Sequence, residues 1–368
     1  MTNERTELRP WDRHPHRIGV INDFPGIAGS LADDWFDGIS LAMVEAREAG
    51  FLDRPVELLR RDVYGHPYQS GAPMAAAYRE LSDEQRVLGV IGPMKTDDSL
   101  SVATEARHSA VPVISMCGSR HMVGPNIFVL NQGSLMDEPP FILRWLRGQG
   151  VQTCAVLAES NQIGYEFLHG FTADMAEFGV SIVSMSTSVP VDSDAATLTA
   201  EFERFAQSRP QALVYLGLGH NNTRLNPALE AAAWQPPIKV MTSAFVTASM
   251  GERWARALDG WYGVDQYHEQ NEHFQAFLNR FEKEFGRVPL NAMAPCGYDM
   301  GATMARGLAK MRYGMPEALC DALERVRLLP AAAGAPGTHI TLGPWEHRGY
   351  RGDYLVMRHA GDGRTTLA

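Results

Sequence analysis

The side chains best suited to chemistry in this sequence are small hydroxyls, amides and a few charges that recur in turns directly after short apolar runs. These turns are Asn22-Asp23-Phe24-Pro25, Gly92-Pro93-Met94-Lys95-Thr96, Ser115-Met116-Cys117-Gly118-Ser119, Ser160-Asn161-Gln162-Ile163-Gly164-Tyr165, Gly217-Leu218-Gly219-His220 and Ser243-Ala244-Phe245. An apolar run that ends in such a turn reads as the carboxyl end of a buried strand, and open α/β sheets hold their ligands at that end. Helices starting at Thr96 and just after Ser119 would aim backbone N–H groups and a positive dipole end at a carboxylate or another polar oxygen. Thr96 reads equally well as an ordinary helix cap. The chemistry on offer is recognition of a small polar group by hydrogen bonds.

Patterns for catalysis or cofactor binding fail on spacing. Gly217-Leu218-Gly219 follows a strand as a dinucleotide loop would, yet Asn222 stands where the third glycine belongs. In His268-Glu269-Gln270-Asn271-Glu272-His273 the second histidine comes one place late for a zinc-protease helix, about 100° off the face of the first. The sequence has no Walker phosphate loop and no G-x-S-x-G elbow, and Arg351-Gly352-Asp353 is a three-letter match without weight. Cys117, Cys154, Cys296 and Cys320 form no C-x-x-C pair and read as small buried thiols. No metal, cofactor or catalytic residue is expected.

The elements that must position these turns alternate along the chain. A strand over 17–22 leads to an amphipathic helix through Leu31, Trp35, Ile39, Ala42, Met43 and Ala46, and strand 56–62, helix 73–81, strand 87–91, helix 96–108 and strand 111–116 follow. After 126–132 the cycle restarts: helix 140–147, strand 153–158, helix 165–178, strand 180–185, helix 194–207, strand 212–216, helix 226–233, strand 238–242 and an aromatic-rich segment 260–267. Helices 272–285, 295–310 and 316–325 come next, and strands near His339 and over 353–357 close the chain. Apolar strands alternating with helices predict parallel sheets covered on both faces and joined by right-handed crossovers.

The 368 residues, 45% of them hydrophobic, suffice for two such domains. With 43 acidic against 33 basic residues the formal net charge is −10, which repels phosphate backbones, so nucleic acid is not an expected partner. The longest apolar stretches, such as 212–218, fall far short of the ~20 residues of a membrane helix, and no membrane insertion is expected. Charges at Glu4, Arg5, Glu7, Arg9, Asp12, Arg13 and Arg17 interrupt any secretory core. As it stands the sequence predicts a cytoplasmic protein, or a periplasmic one if an export segment has been trimmed or the start mis-assigned.

Taken in order, Ile18 to Gly29, Asp37-Gly38-Ile39, Val90-Ile91-Gly92-Pro93, Val111-Pro112-Val113-Ile114-Ser115, Asn126-Ile127-Phe128, Gly297-Tyr298-Asp299 and Thr338 to Gly343 are similar to the type I periplasmic solute-binding proteins. From Arg17 onward the chain resembles the branch of the leucine/isoleucine/valine-binding protein and the cytosolic amide receptor. The resemblance implies two doubly wound, Rossmann-like α/β lobes joined by three hinge crossovers and closing on a small ligand. Expected boundaries are 17–131 with 268–338 for the first lobe and 132–267 with 339–368 for the second, after an N-terminal extension 1–16. The crossovers are expected near 130–134, 263–268 and 337–343.

Carried over from the family, the positions that hold a ligand carboxylate are Thr96, Cys117 and Ser119, while Ile163 and Phe245 replace the usual tyrosine and the acidic partner of an α-ammonium. Phe245 also reads as a core aromatic. The implied lining is Asp23, Phe24, Lys95, Thr96, Met116, Cys117, Gly118, Ser119, Ile163, Tyr165, Gly219, His220 and Phe245, with an aromatic or aliphatic carboxylate, or an amide, as ligand. The expected function is a non-catalytic solute receptor delivering to an ABC transporter permease; the alternative is a cytosolic sensor acting through a regulatory protein.

Overall fold

The computed structural model describes residues 14–24, 29–67, 69–290 and 292–368; most of the expected N-terminal extension and the Pro25-Gly26 turn lie outside them. The first lobe begins with β1 (His16–Asn22), α1 (Gly29–Glu48), β2 (Val56–Asp62) and α2 (Ala72–Arg79), which runs on as a π-helical turn. It continues with β3 (Gly89–Ile91), α3 (Thr96–Ala106), β4 (Val113–Ser115) and β5 (Ile127–Val129). These strands form one parallel sheet in the order β2-β1-β3-β4-β5. Ile18 and Val20 enter the core on one face of this sheet and Ile21 the core on the other, which is why β1 reads as an unbroken apolar run.

The second lobe comprises α4 (Glu138–Gly148), β6 (Thr153–Glu159), α5 (Gln162–Asp174), β7 (Ser181–Val189), α6 (Ala195–Gln207), β8 (Ala212–Leu216), α7 (Asn222–Ala231) and β9 (Ile238–Met241). A 3-10 stretch Ser243–Met250, α8 (Glu252–Ala257) and β10 (Trp261–Asp265) complete it. Strands β7-β6-β8-β9-β10 are parallel, again with both faces covered: Cys154, Val156 and Ala158 face one core, Ala155 and Leu157 the other.

The chain then returns to the first lobe as α9 (Glu272–Phe285), α10 (Met293–Lys310) and α11 (Pro316–Leu323). Helix α10 lies against α1 at backbone contact. A Cβ at Gly38 would stand 2.3 Å from the Ala294 carbonyl oxygen, and one at Gly297 would stand 2.2 Å from that of Trp35. Glycine is required at both positions because backbone fills the space a side chain would take.

The closing segment departs from the expected boundary. Strands β11 (Leu329–Pro330), β12 (His339–Ile340) and β13 (Tyr350–Arg351) form a small antiparallel sheet, and Ile340, Leu342 and Tyr350 pack into the first lobe's core. Asp299 of α10 anchors this stretch by accepting the N–H groups of Ala332 and Ala333 at 2.8 and 3.0 Å and the Tyr350 hydroxyl at 3.0 Å. Residues 339–351 therefore belong with the first lobe, not the second, and the last crossing lies at 352–355, not at 337–343. Only β14 (Val356–Gly361) and β15 (Arg364–Leu367) join the second lobe, as antiparallel additions beside β10. Among the described residues no helix is long and apolar enough to span a membrane, and no cluster of His, Cys, Asp or Glu could hold a metal ion.

Candidate ligand-binding cleft

The carboxyl ends of the two parallel sheets face each other across a cavity of about 330 Å³, at the position where open α/β sheets take ligands. Its floor is made by chain crossings stitched to one another. The Gly133 N–H donates to the side-chain oxygen of Gln266, whose own carbonyl accepts from Gly334 N–H at 2.6 Å. Glu138, fully buried, takes the Ser134 N–H at 2.6 Å and the Ser243 N–H at 2.7 Å, tying the first crossing to the turn after β9; burial pushes its carboxyl up to about 8. The hydroxyl of Tyr354 in the last crossing donates to Asp137.

The first lobe contributes Phe24 after β1, Met94, Lys95 and Thr96 between β3 and α3, and Met116 and Gly118 after β4. The turn before α3 is held by Asp23, whose carboxylate accepts the N–H groups of Met94 at 3.0 Å and Lys95 at 2.7 Å. Burial, offset by Lys95 and reinforced by Asp98, pushes Asp23 up to about 7. Lys95 is itself buried, its ammonium donating to the His66 carbonyl at 2.5 Å, 3.3 Å from Asp98 and 5.2 Å from the centre of the Phe24 ring. Helix α3 makes its first internal bond from Ser99 N–H to Lys95 carbonyl, so the N–H groups of its first turn point to the cleft end of the helix.

The second lobe supplies Ile163 and Phe167 from α5, Gly217 to His220 and Thr223 around the start of α7, Ser243, Ala244, Val246, Thr247 and Met250 from the 3-10 stretch, and Arg253 and Trp254 from α8. Glu159 shapes this wall from behind. It accepts from the Tyr215 hydroxyl, the Leu218 N–H at 2.7 Å and the amides of Asn161 and Asn221 at 3.1 and 3.3 Å, and burial lifts its carboxyl to about 7. His220 is held below its ordinary value by burial and by the Lys95 charge opposite. Arg253, at the mouth, places its guanidinium 5.5 Å from the Trp254 ring centre. Among the described residues no carboxylate lines the cavity.

Of the expected ligand residues, Phe24, Lys95, Thr96, Met116, Gly118, Ile163, Gly219 and His220 come together on the cavity wall. The rest stand elsewhere. Asp23 is turned to backbone N–H groups, as described. Cys117 is fully buried in the core beyond the sheet, and burial pushes its thiol up to about 11. Tyr165 points to solvent, its hydroxyl 3.0 Å from that of Ser160, because it sits on the outer face of α5 while Ile163 faces inward. Phe245 is fully buried among Leu213, Tyr215 and Trp261, and a Cβ at Gly263 would strike its ring at 2.3 Å; it is a core aromatic, not a cavity wall.

Ser119 joins the two lobes. Its hydroxyl donates to both carboxylate oxygens of Glu166 on α5, at 2.7 and 2.9 Å, and the Arg120 N–H adds 3.3 Å. Gln162 also donates to Glu166, at 2.7 Å. Ser119, expected among the ligand residues, is therefore found off the cavity wall with its hydroxyl engaged between the lobes. The sequence reading missed Phe167, Gln132, Thr223, Trp254 and Arg253 as wall residues. Phe167 was recoverable, four residues after Ile163 on the same helical face. The others depend on how the crossing and the 3-10 stretch fold, for which no local pattern exists.

The architecture defines the class: a two-lobed α/β receptor with its cavity between the lobes. The chain belongs to the periplasmic binding protein family, whose model matches residues 15–362. Among solved structures it is similar to a possible leucine/isoleucine/valine-binding protein from Rhodopirellula baltica, at 17% identity over 98% of both chains with a TM-score of 0.80. A leucine-binding protein from Thermotoga maritima gives 16% identity, 96% and 97% coverage and 0.80. An ABC-transporter solute-binding protein from Rhodopseudomonas palustris in complex with p-hydroxybenzoic acid gives 16%, 95% of both chains and 0.80. No curated protein matches the chain significantly in sequence.

Proposed function

We propose that this protein is a non-catalytic receptor for an apolar carboxylate, delivering it to an ABC-type uptake system. The observation that carries the reading is the charge balance of the cavity. Its wall is mainly apolar, with Phe24, Met116, Ile163, Phe167, Met250 and Trp254, and its ionisable groups are Lys95, His220 and Arg253. The first turn of α3 adds N–H donors at the same end. A free α-ammonium buried here would lack a carboxylate partner on the wall, which is costly, whereas a carboxylate meets the N–H donors of α3, the Arg253 guanidinium and the Lys95 ammonium, which it would share with Asp98. The relatives named above include both leucine-binding proteins and one holding p-hydroxybenzoic acid, so the family accommodates either chemistry. Here the cavity favours the acid.

Isothermal titration with benzoate, 4-hydroxybenzoate, phenylacetate and 4-methylpentanoate, set against leucine, valine and phenylalanine, tests it. Micromolar or tighter binding of an acid with no heat from the amino acids is the expected result. Tight leucine binding with silence from the acids would refute it. Fractionation of the native cells separates delivery from sensing: a periplasmic location supports the transport reading, and a cytosolic one with a co-purifying regulator would replace it.

A further inference from the structure

We propose that Gln132, in the first crossing, determines specificity by reading a second, neutral oxygen of the ligand. The inference rests on the carboxylate reading above. Gln132 lines the cavity, and its amide nitrogen Nε2 is buried yet has no hydrogen-bond partner among the described residues. Buried polar groups are rarely left unpaired, because an unmade hydrogen bond inside a protein forfeits the hydration it had in water. At a wall where a ligand sits, the missing partner is a ligand atom.

The backbone around it is fixed. Gly133, with φ of +77°, donates to Gln266 in the second crossing, and its carbonyl accepts the Asn131 side-chain amide at 2.8 Å. A Cβ at Gly133 would lie 2.1 Å from the Ser243 hydroxyl and 2.5 Å from Glu138 of the second lobe, and one at Gly118 of the first lobe would lie 2.8 Å from the Gly133 carbonyl, so the segment is clamped between both lobes. An amide carried on so constrained a loop is preorganised, and its selectivity is not diluted by movement. Being neutral, it suits a hydroxyl or carbonyl oxygen, while Lys95, His220, Arg253 and the start of α3 serve the carboxylate. A hydroxyl satisfies the amide in either of its two orientations.

The test uses the full chain and calorimetry on matched probes: benzoate with 3- and 4-hydroxybenzoate, phenylacetate with 4-hydroxyphenylacetate, and 4-methylpentanoate with its 2-hydroxy and 2-oxo forms. In at least one set the oxygenated member should bind about tenfold or more tightly than its parent. Q132L should level that set to within about threefold, with the ligand-free melting temperature unchanged. Should Q132L melt early, Q132M, of similar length and without an amide, is expected to lose the preference as well. Retention of the preference by either folded variant, or its absence from the unmutated protein while carboxylates bind, overturns the proposal. Binding of leucine without any acid, or no binding of any probe, would instead bring down the carboxylate reading and this inference with it.

Discussion

Replacing Ser119 by alanine removes a hydrogen bond that exists only while the lobes touch. In the structure the hydroxyl lies 2.7 and 2.9 Å from the two oxygens of Glu166, and both residues are buried. Bonds to a charged group contribute about 1.5–3 kcal/mol. Glu166 keeps Gln162 at 2.7 Å and the Arg120 N–H at 3.3 Å, so it is not left bare, and the lower end of that range applies. About 1.5 kcal/mol is roughly tenfold in the closing equilibrium, and a ligand that binds the closed state should weaken by the same factor, mostly through faster release. Once the lobes part, water replaces the lost partner, and the one bond lost within the first lobe is that from the His121 N–H, which the hydroxyl accepts at 3.1 Å, so the ligand-free melting temperature should fall by no more than about 2 °C. Stopped-flow dissociation and calorimetry on the tightest acid, with scattering profiles for closure, give the measurement. A double-mutant cycle with Glu166→Ala should show the two changes to be far from additive. A dissociation constant within about twofold of the unmutated protein would refute the interlobe role, and a ligand-free melting temperature lowered by several degrees would show that Ser119 supports its own lobe instead.

Phe245→Ala should cost about 3–5 kcal/mol in denaturant unfolding by opening a void among Leu213, Tyr215 and Trp261, without changing which ligands bind; altered ligand preference at full stability would return Phe245 to the cavity wall. Gly297→Ala should destabilise the first lobe by about 1–3 kcal/mol, because its Cβ must displace Trp35 backbone at 2.2 Å, and an unchanged chemical midpoint would show that the α1–α10 contact yields freely. Binding of a carboxylate should tighten as pH falls from 8 to 6 and take up protons. Asp23, raised to about 7, loses a negative charge in that window, and His220, held below its ordinary 6.5, begins to gain a positive one at its acid end. The ligand stays ionised throughout, its pKa lying near ~4–5. A flat profile in buffers of different ionisation heat would contradict this.

The alternation of apolar runs with amphipathic helices was enough to predict two parallel sheets, because strands buried on both faces, such as 18–21 and 154–158, need continuous apolar sequence and nothing nonlocal. The wall residues Lys95, Thr96, Gly118, Gly219 and His220 were legible for a related reason: turns at strand ends are local, and the sheet's geometry sends them to one edge. Residues whose direction depends on a partner were not legible. Phe245, Cys117 and Tyr165 share those turns, yet Gly263 and the sheet cores draw the first two inward and the far face of α5 sends the third to solvent. The last crossing escaped for the same reason, since 339–351 is held in the first lobe by Asp299 and the core around Ile340, contacts made tens of residues away. Period and turn chemistry are written in neighbouring residues. Which side chain meets the ligand, which meets the opposite lobe and which meets the core was decided by distant segments packing at van der Waals contact, where a single residue of offset reverses the direction a side chain takes.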